Sequence, residues 1–462
     1  METQFGRQHR IPRAVEELDV EVPLLVVAGT RPEAIKLLPL VAALRQHPRI
    51  APVVVATGQH PTLVEDVLGL AGLTVDRNLR VGHPGVTLNE LFAGVLRGLE
   101  SYVHDRFGES TPDVNDRPID AYPAACVVHG DTTSAAAAAL AAFHLRIPVV
   151  HVEAGLRTRS TLSPFPEELN RQIIARIATF HLAPTELNAQ NLVREGVDIR
   201  RIFVTGNTGI DALRWAAERR APYGPDGLAD LEHDEFTRVV TVTAHRRENW
   251  GDGLHGIATG VRRLAGRYPD VRFVLPVHPN PAVAASLHDV LDDSANVSLV
   301  PPMEYLGFAR LLARSTLVIT DSGGIQEEAP ALGVPVLVTR TSTERGEGIE
   351  AGTLELVGTD PDRIETAAAR LLDDPDRHAE VAARTNPYGD GHAVDRIVES
   401  FDNVLLDAPR PQPFGPGYSR AVVLDAAGYR RVPSLVVAHH PTPEAPATPD
   451  QSEPLIEDVI VR

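Results

Sequence analysis

The stretch Leu317-Val-Ile-Thr-Asp321-Ser322-Gly323-Gly324-Ile-Gln-Glu327-Glu328-Ala-Pro-Ala-Leu-Gly333-Val-Pro-Val-Leu337 decides the fold. A β-branched apolar run stops at Thr320 and Asp321, and a serine and two glycines follow. A helix then begins, expected to carry its acidic residues in the first turn, and apolar residues resume at Val334. Such a junction leaves backbone N–H groups unpaired beside the positive end of a helix, which suits a phosphate. Ser322 adds a hydroxyl, and Gly323 and Gly324 let a bulky anion reach the backbone. On these residues alone an ordinary capped turn is the simpler reading, and the rest of the chain has to separate the two.

Working outward, the same strand-turn-helix pattern recurs on both sides. Towards the N-terminus, Val239-Val-Thr-Val-Thr243 leads to Ala244-His245-Arg246-Arg247-Glu248-Asn249, and Arg272-Phe-Val-Leu-Pro-Val277 leads to His278-Pro-Asn-Pro. Asn296 to Val300 is a further strand. Towards the C-terminus, Val334 to Val338 leads to Thr343-Glu-Arg345, with helices over 363–372 and 393–406. The first half of the chain repeats the scheme. Val22 to Ala28 reads as a buried parallel strand that turns through Gly29-Thr-Arg31 into a helix bearing Lys36. Val53 to Ala56 ends at Thr57-Gly-Gln59-His60, with helices expected from Thr62 and Thr87. Ala125-Cys-Val-Val128 runs into His129-Gly-Asp131, a helix covers 134–145, and Val149-Val-His-Val152 ends at Glu153. This βαβ unit places Asp131 and Glu153 at the carboxyl ends of two parallel strands, from which both reach one ligand. Pro164-Phe-Pro-Glu167-Glu168 opens another helix, with Asn170 and Arg171 one turn on. Glu168 is read as a capping acid favoured by the helix dipole, whereas Glu167 is counted with the candidate site.

The predicted fold class is α/β, with two Rossmann-like doubly wound domains facing a central cleft. The expected divisions are a disordered extension over 1–21, an N-terminal domain over 22–206, a C-terminal ligand-binding domain over 207–385, a helix packing back over 386–406 and a largely disordered Pro-rich tail over 407–462. The polar stretch 218–235 is expected to form the hinge between the halves, and 107–123, rich in Pro, Asp and Gly, a surface loop.

Composition narrows the chemistry. With 462 residues, 43% of them apolar, the chain can form two or three aliphatic cores, and its net charge of −18 argues against a nucleic-acid or anionic-membrane partner. Met1 to Glu21 has no apolar core of signal-peptide length, and Ala135 to Phe143 is too short to span a bilayer, so a cytoplasmic location is expected. Cys126, the sole cysteine, lies in a strand and is read as core. Of the 44 basic side chains all but Lys36 are arginine. An arginine-biased background makes that one compact ammonium a candidate for a crowded site. No Walker-type Gly-Lys-Ser/Thr run occurs, and no Gly-x-Gly-x-x-Gly follows the first strand, which excludes P-loop and dinucleotide-binding readings. His245 and His278 lack partners at zinc-ligand spacing, so no metal and no cofactor are expected.

Carboxylates facing a bound diphosphate suit acid/base work at a sugar carbon beside a nucleotide leaving group. The motifs Gly29-Thr-Arg-Pro-Glu-Ala-Ile-Lys36, His129-Gly-Asp-Thr-Thr133, His151-Val-Glu-Ala-Gly-Leu-Arg157, Pro164-Phe-Pro-Glu-Glu168, His245-Arg-Arg-Glu-Asn249, Pro276-Val-His-Pro-Asn280, Thr320-Asp-Ser-Gly-Gly-Ile-Gln-Glu-Glu-Ala329 and Asn386-Pro-Tyr-Gly-Asp-Gly391 resemble the bacterial non-hydrolysing UDP-N-acetylglucosamine 2-epimerases. The resemblance spans roughly residues 24 to 405. It implies a glycosyltransferase-B-type fold, a homodimer, and interconversion of UDP-N-acetylglucosamine and UDP-N-acetylmannosamine through loss and re-addition of UDP. Carried over by motif, it implies Asp131, Glu153, Glu167 and His245 as the catalytic group. Arg31, Lys36 and Arg171 are placed at the site, and Ser322, Gly323, Gly324 and Glu328 on the UDP portion, the glutamate at ribose hydroxyls.

Members regulated by a second UDP-N-acetylglucosamine are similar at Gln59, Arg246 and His278. They carry a glutamine and an arginine where this chain has Thr62 and Gly85; separately, the family's usual Thr-Glu-Arg-Pro-Glu reads Thr343-Glu-Arg-Gly-Glu347 here. A hydrolysing epimerase, a glycosyltransferase of the same fold and a silent sugar-nucleotide sensor remain the competing readings.

Overall fold

The computed structural model describes residues 21–109, 121–162, 164–232 and 238–415. The expectations for residues 1–20, most of the 107–123 loop and the tail from 416 lie outside the described residues. In the first half the strands are β1 (Val22–Ala28), β2 (Ile50–Ala56), β3 (Arg77–Asn78), β4 (Ala125–His129), β5 (Val149–Val152), β6 (Phe180–Ala183) and β7 (Ile202–Val204). Its helices are α1 (Arg31–Arg45), α2 (Leu63–Gly69), α3 (Leu88–Phe107), α4 (Thr133–His144), α5 (Glu167–Ile177) and α6 (Glu186–Arg194), and α7 (Thr208–Glu218) follows them.

The second half has strands β8 (Arg238–Thr243), β9 (Val271–Pro276), β10 (Val297–Val300), β11 (Leu317–Thr320), β12 (Val336–Val338) and β13 (Leu354–Leu356). Its helices are α8 (Asp252–Arg267), α9 (Pro281–Leu291), α10 (Tyr305–Arg314), α11 (Gly323–Glu328), α12 (Gly346–Ala351), α13 (Pro361–Leu372), α14 (Pro375–Ala382) and α15 (Ala393–Leu405).

The strands form a seven-stranded sheet ordered β3-β2-β1-β4-β5-β6-β7 and a six-stranded sheet ordered β10-β9-β8-β11-β12-β13. Every pairing is parallel. β1 and β4 are buried at every position, as expected of strands covered by helices on both faces. In each sheet the strand order reverses once, between β1 and β4 and between β8 and β11. Open α/β sheets bind ligands in the crevice beyond the strand ends at such a reversal. The turns at these four strand ends are the ones holding Arg31, Asp131, His245 and Ser322. Alanines 135–139, 141 and 142 of α4 are all buried, and their small side chains let α4 lie flat between β4 and α3.

Three boundaries differ from the sequence reading. Tyr223, Leu228 and Leu231 pack with Val239, Val274, Val300 and Leu311, so the stretch expected as the hinge belongs to the core of the second half. The chain instead crosses around Thr205–Asn207 and again around Asn386–His392, where Asn207 N donates to Tyr388 O at 2.8 Å. Tyr122, expected on a surface loop, is buried in the first-half core. Phe414, expected within a disordered tail, is buried, and its N–H donates to Val204 O at 2.8 Å along the edge of β7. Helix α15 returns to the first half, placing Val394, Ile397, Phe401 and Leu405 among the side chains of β1 and α1.

Candidate active site

The first-half reversal is braced from below by a buried acid. Glu33 Oε2 accepts from Gly29 N at 3.0 Å, Thr30 N at 2.7 Å and Thr30 Oγ1 at 2.8 Å, while Oε1 accepts from Thr132 Oγ1 at 2.8 Å. One carboxyl therefore ties the turn after β1 to the turn after β4. Burial pushes its pKa up, against these hydrogen bonds.

On this brace stand the predicted carboxylates. Asp131 follows β4; its Oδ2 lies 2.5 Å from Arg171 Nη2, and its carbonyl accepts from Asn170 Nδ2 at 2.9 Å. Glu153 follows β5 with φ +62°, a left-handed conformation that costs a non-glycine residue about 1–3 kcal/mol and tends to persist at functional sites. Lys36 Nζ donates to Glu153 Oε2 at 2.5 Å. His129 Nε2 approaches the same oxygen to 3.1 Å, off the axis of a good hydrogen bond. Burial opposes the charge on Glu153, yet the Lys36 ammonium and the His129 ring hold its carboxyl well below the usual carboxylate range. Burial likewise opposes the charge on Lys36, but Glu153, Glu327 and Glu328 hold its ammonium above the ordinary lysine range. The pair is thus two committed ions in a partly enclosed place.

Glu167 is the first residue of α5, and its Oε2 is buried with no hydrogen-bond partner among the described residues. Its neighbour Glu168 is fully buried and accepts from Thr158 N at 2.9 Å, Gln172 Nε2 at 3.1 Å and Arg171 Nη1 at 3.1 Å. Glu168 is therefore structural, as expected, but it fixes the 158 turn and Arg171 rather than capping its own helix.

In the second half, Asp321 organises the turn that the sequence singled out. It is fully buried, and its carboxylate accepts from His245 N at 3.0 Å, Arg246 N at 2.9 Å and Asn249 Nδ2 at 3.1 Å, with His245 Nδ1 3.2 Å away. The parallel register of β8 and β11 sets Thr243 beside Thr320, so Asp321 and His245 leave adjacent strand ends together. Ser322 caps α11 by backbone only and makes no side-chain capping bond, which leaves its hydroxyl available to a ligand.

The expectation of acids in the first turn of this helix is corrected. α11 starts at Gly323 itself, and Glu327 and Glu328 fall at its end. They face the first half instead. Glu327 accepts from Asn207 Nδ2 at 2.6 Å and from Arg345 Nε at 2.9 Å. Burial pushes Glu328 up to about 7, with the Lys36 charge pulling down and Glu327 and Glu153 pushing further up. The Arg345 guanidinium lies 3.0 Å from where a Cβ on Gly323 would stand, so it lines the same turn. Arg31 spans the cleft to Glu304 at 2.6 Å.

The structure thus gathers Lys36, Asp131, Glu153 and Arg171 at one strand-end cluster and His245, Ser322, Gly323 and Gly324 at the other. Lys36 and Glu328 link them, both lying against Gly209. Sequence reasoning missed His129, Asn207, Glu327 and Arg345. His129 was quoted only as motif, Asn207 shows merely as an N-cap, and nothing local pairs Glu327 with an arginine 18 positions away. Among the described residues no cluster of three His, Cys, Asp or Glu could hold a metal ion, and no helix is long and apolar enough to cross a membrane.

Two doubly wound domains with carboxylates on one side and a glycine turn on the other define an α/β protein of the glycosyltransferase-B type. Known proteins narrow this further. Residues 42–402 match the family model described as UDP-N-acetylglucosamine 2-epimerase. The UDP-N-acetylglucosamine 2-epimerases of Yersinia pestis and Escherichia coli K12 are each 44% identical to this chain, over 82% of it and 98% of their own lengths. The crystal structure of the Neisseria meningitidis UDP-GlcNAc 2-epimerase bound to UDP-GlcNAc is 39% identical, covers 82% of this chain and 99% of its own, and superposes with a TM-score of 0.69. The chain belongs to the UDP-N-acetylglucosamine 2-epimerase family.

Proposed function

We propose that this chain reversibly epimerises C2 of UDP-N-acetylglucosamine to give UDP-N-acetylmannosamine, without hydrolysis. A carboxylate removes the C2 proton while the bond from C1 to the diphosphate oxygen breaks. UDP departs with that electron pair, and a C1–C2 double bond forms in a 2-acetamidoglucal. A proton then returns to C2 on the opposite face and UDP re-adds at C1. A ring C2–H is barely acidic until the anomeric bond weakens, so deprotonation and leaving-group stabilisation have to act together.

The observation that carries this reading is Glu153, an ionised carboxylate in a strained backbone conformation, locked to the only lysine and linked through it to the glycine turn opposite. In this assignment Asp131, Glu153, Glu167 and His245 perform acid/base work, and Arg31, Lys36 and Arg171 bind and neutralise the substrate. Ser322, Gly323 and Gly324 hold the diphosphate, and Glu328 the ribose hydroxyls. No metal or cofactor enters any step. The active form is assigned as a cytoplasmic homodimer; Phe143 at the end of α4, 58% exposed, is an apolar surface ring that a second copy would cover. The test is turnover of UDP-N-acetylglucosamine in D₂O without an acceptor. Deuterium at C2 of both sugars with UDP still attached is expected, whereas stoichiometric free UDP with free N-acetylmannosamine, or no exchange until an acceptor is added, overturns it.

A further inference from the structure

Two histidines beneath the Gly130–Asp131 turn are left unused by the catalytic assignment. His151 on β5 and His181 on β6 are both fully buried and are paired across the parallel register, so their rings leave the same face of adjacent strands. His151 Nε2 lies 2.7 Å from Gly130 O. Its Nδ1 and both nitrogens of His181 have no hydrogen-bond partner among the described residues. Buried polar atoms of this kind cost stability, and two β-branched residues would fill the sheet interior without that cost. A carbonyl only accepts, so the contact puts the proton on His151 Nε2. Burial pushes the His151 imidazole down to about 4 and the His181 imidazole well below its ordinary range. Both rings are therefore neutral at physiological pH, and the His151 tautomer is fixed.

The accepting carbonyl belongs to the peptide unit that enters Asp131. Gly130 has φ +64°, and its N–H donates to Val152 O at 3.0 Å. Asn170 holds the carbonyl of Asp131 itself. With His151 on the preceding carbonyl, the backbone is fixed on both sides of the Asp131 side chain.

We propose that His151 is a positioning residue for the reaction: as an Nε2–H donor to Gly130 O it locks the peptide entering Asp131 so that the carboxylate is aimed at the sugar, with His181 its neighbour across the strand register. The inference rests on Asp131 being a catalytic carboxylate.

Three variants test it. His151→Leu removes the donor, His151→Gln restores an N–H near the place of Nε2, and Asp131→Asn checks the underlying assignment. A misplacement of order 1 Å costs about 100-fold, so His151→Leu is expected to lower kcat for C2 exchange by about that factor. KM for UDP-N-acetylglucosamine and Kd for UDP should be unchanged, and His151→Gln should recover most of the rate. Retained UDP affinity also reports that the protein has folded. Equal losses in the leucine and glutamine variants, or loss of UDP affinity in step with kcat, overturn the proposal. Wild-type exchange by Asp131→Asn overturns the catalytic assignment itself, whereas an inactive Asp131→Asn beside a fully active His151→Leu overturns only the positioning role.

Discussion

At its strand-order reversal the first half gathers Lys36 with Glu153 and Arg171 with Asp131 into short ion pairs, with His129 set against the left-handed glutamate. At the equivalent place the second half presents a serine and two glycines, held from behind by one buried aspartate whose oxygens are filled by His245, Arg246 and Asn249. The first arrangement stores charge and strain where a ligand will sit, and the second spends the buried charge of Asp321 on rigidity. The difference fits a division of labour. Proton transfer needs groups with opposed charge states close together, whereas holding a departing diphosphate needs donors that do not move.

Removing the charge that carries the chemistry should break the comparison most severely. Glu153→Gln keeps the shape but not the carboxylate charge, and on the proposed assignment C2 exchange is expected to fall by about 10³-fold with little change in UDP affinity by calorimetry; a parallel loss of UDP binding would mean that the halves do not divide the work. Next in size is Asp321→Ala in the second half, which strands three donors, one of them on the buried Asn249. Denaturant unfolding is expected to show about 3 kcal/mol less stability, an effect on scaffold rather than on proton transfer. The smallest effect sharpens the boundary between the halves. Glu328 titrates at about 7, so it is mostly neutral at pH 6 and mostly ionised at pH 8, and an ionised carboxylate accepts from ribose hydroxyls more strongly. The ratio of UDP affinity between wild type and Glu328→Gln should therefore rise with pH across 7, by about tenfold. The phosphate's own titration cancels in that ratio, and a flat ratio would remove Glu328 from the nucleotide site.

Much of this site was legible because it sits at strand ends. Apolar runs announce parallel strands, so Asp131, Glu153, His245 and Ser322 could be placed at carboxyl ends from periodicity alone, and the arginine-rich background marked Lys36. What the sequence pattern could not convey is contact between distant segments. The Asn207–Glu327–Arg345 link, the Arg31–Glu304 pair and the docking of Phe414 on β7 each join residues whose local patterns look like caps, solvated charges or tail. The acids of α11 were misplaced because a Gly-Gly helix start is indistinguishable from a turn until the backbone is seen. The hinge was misplaced because polar residues 218–232 hide three core side chains, Tyr223, Leu228 and Leu231.

The measurement that bears most directly on the division between proton transfer and leaving-group clamp follows the anomeric oxygen. UDP-N-acetylglucosamine labelled with ¹⁸O in the bridge between C1 and the β-phosphorus is incubated with the protein, and the label is located by ³¹P NMR. If the C1–O bond breaks while the second half retains UDP, the label will spread to non-bridging β-phosphate positions as C2 inverts. Inversion at C2 with the label still wholly in the bridge would contradict the elimination, and with it the role assigned to the Asp321-Ser-Gly-Gly turn.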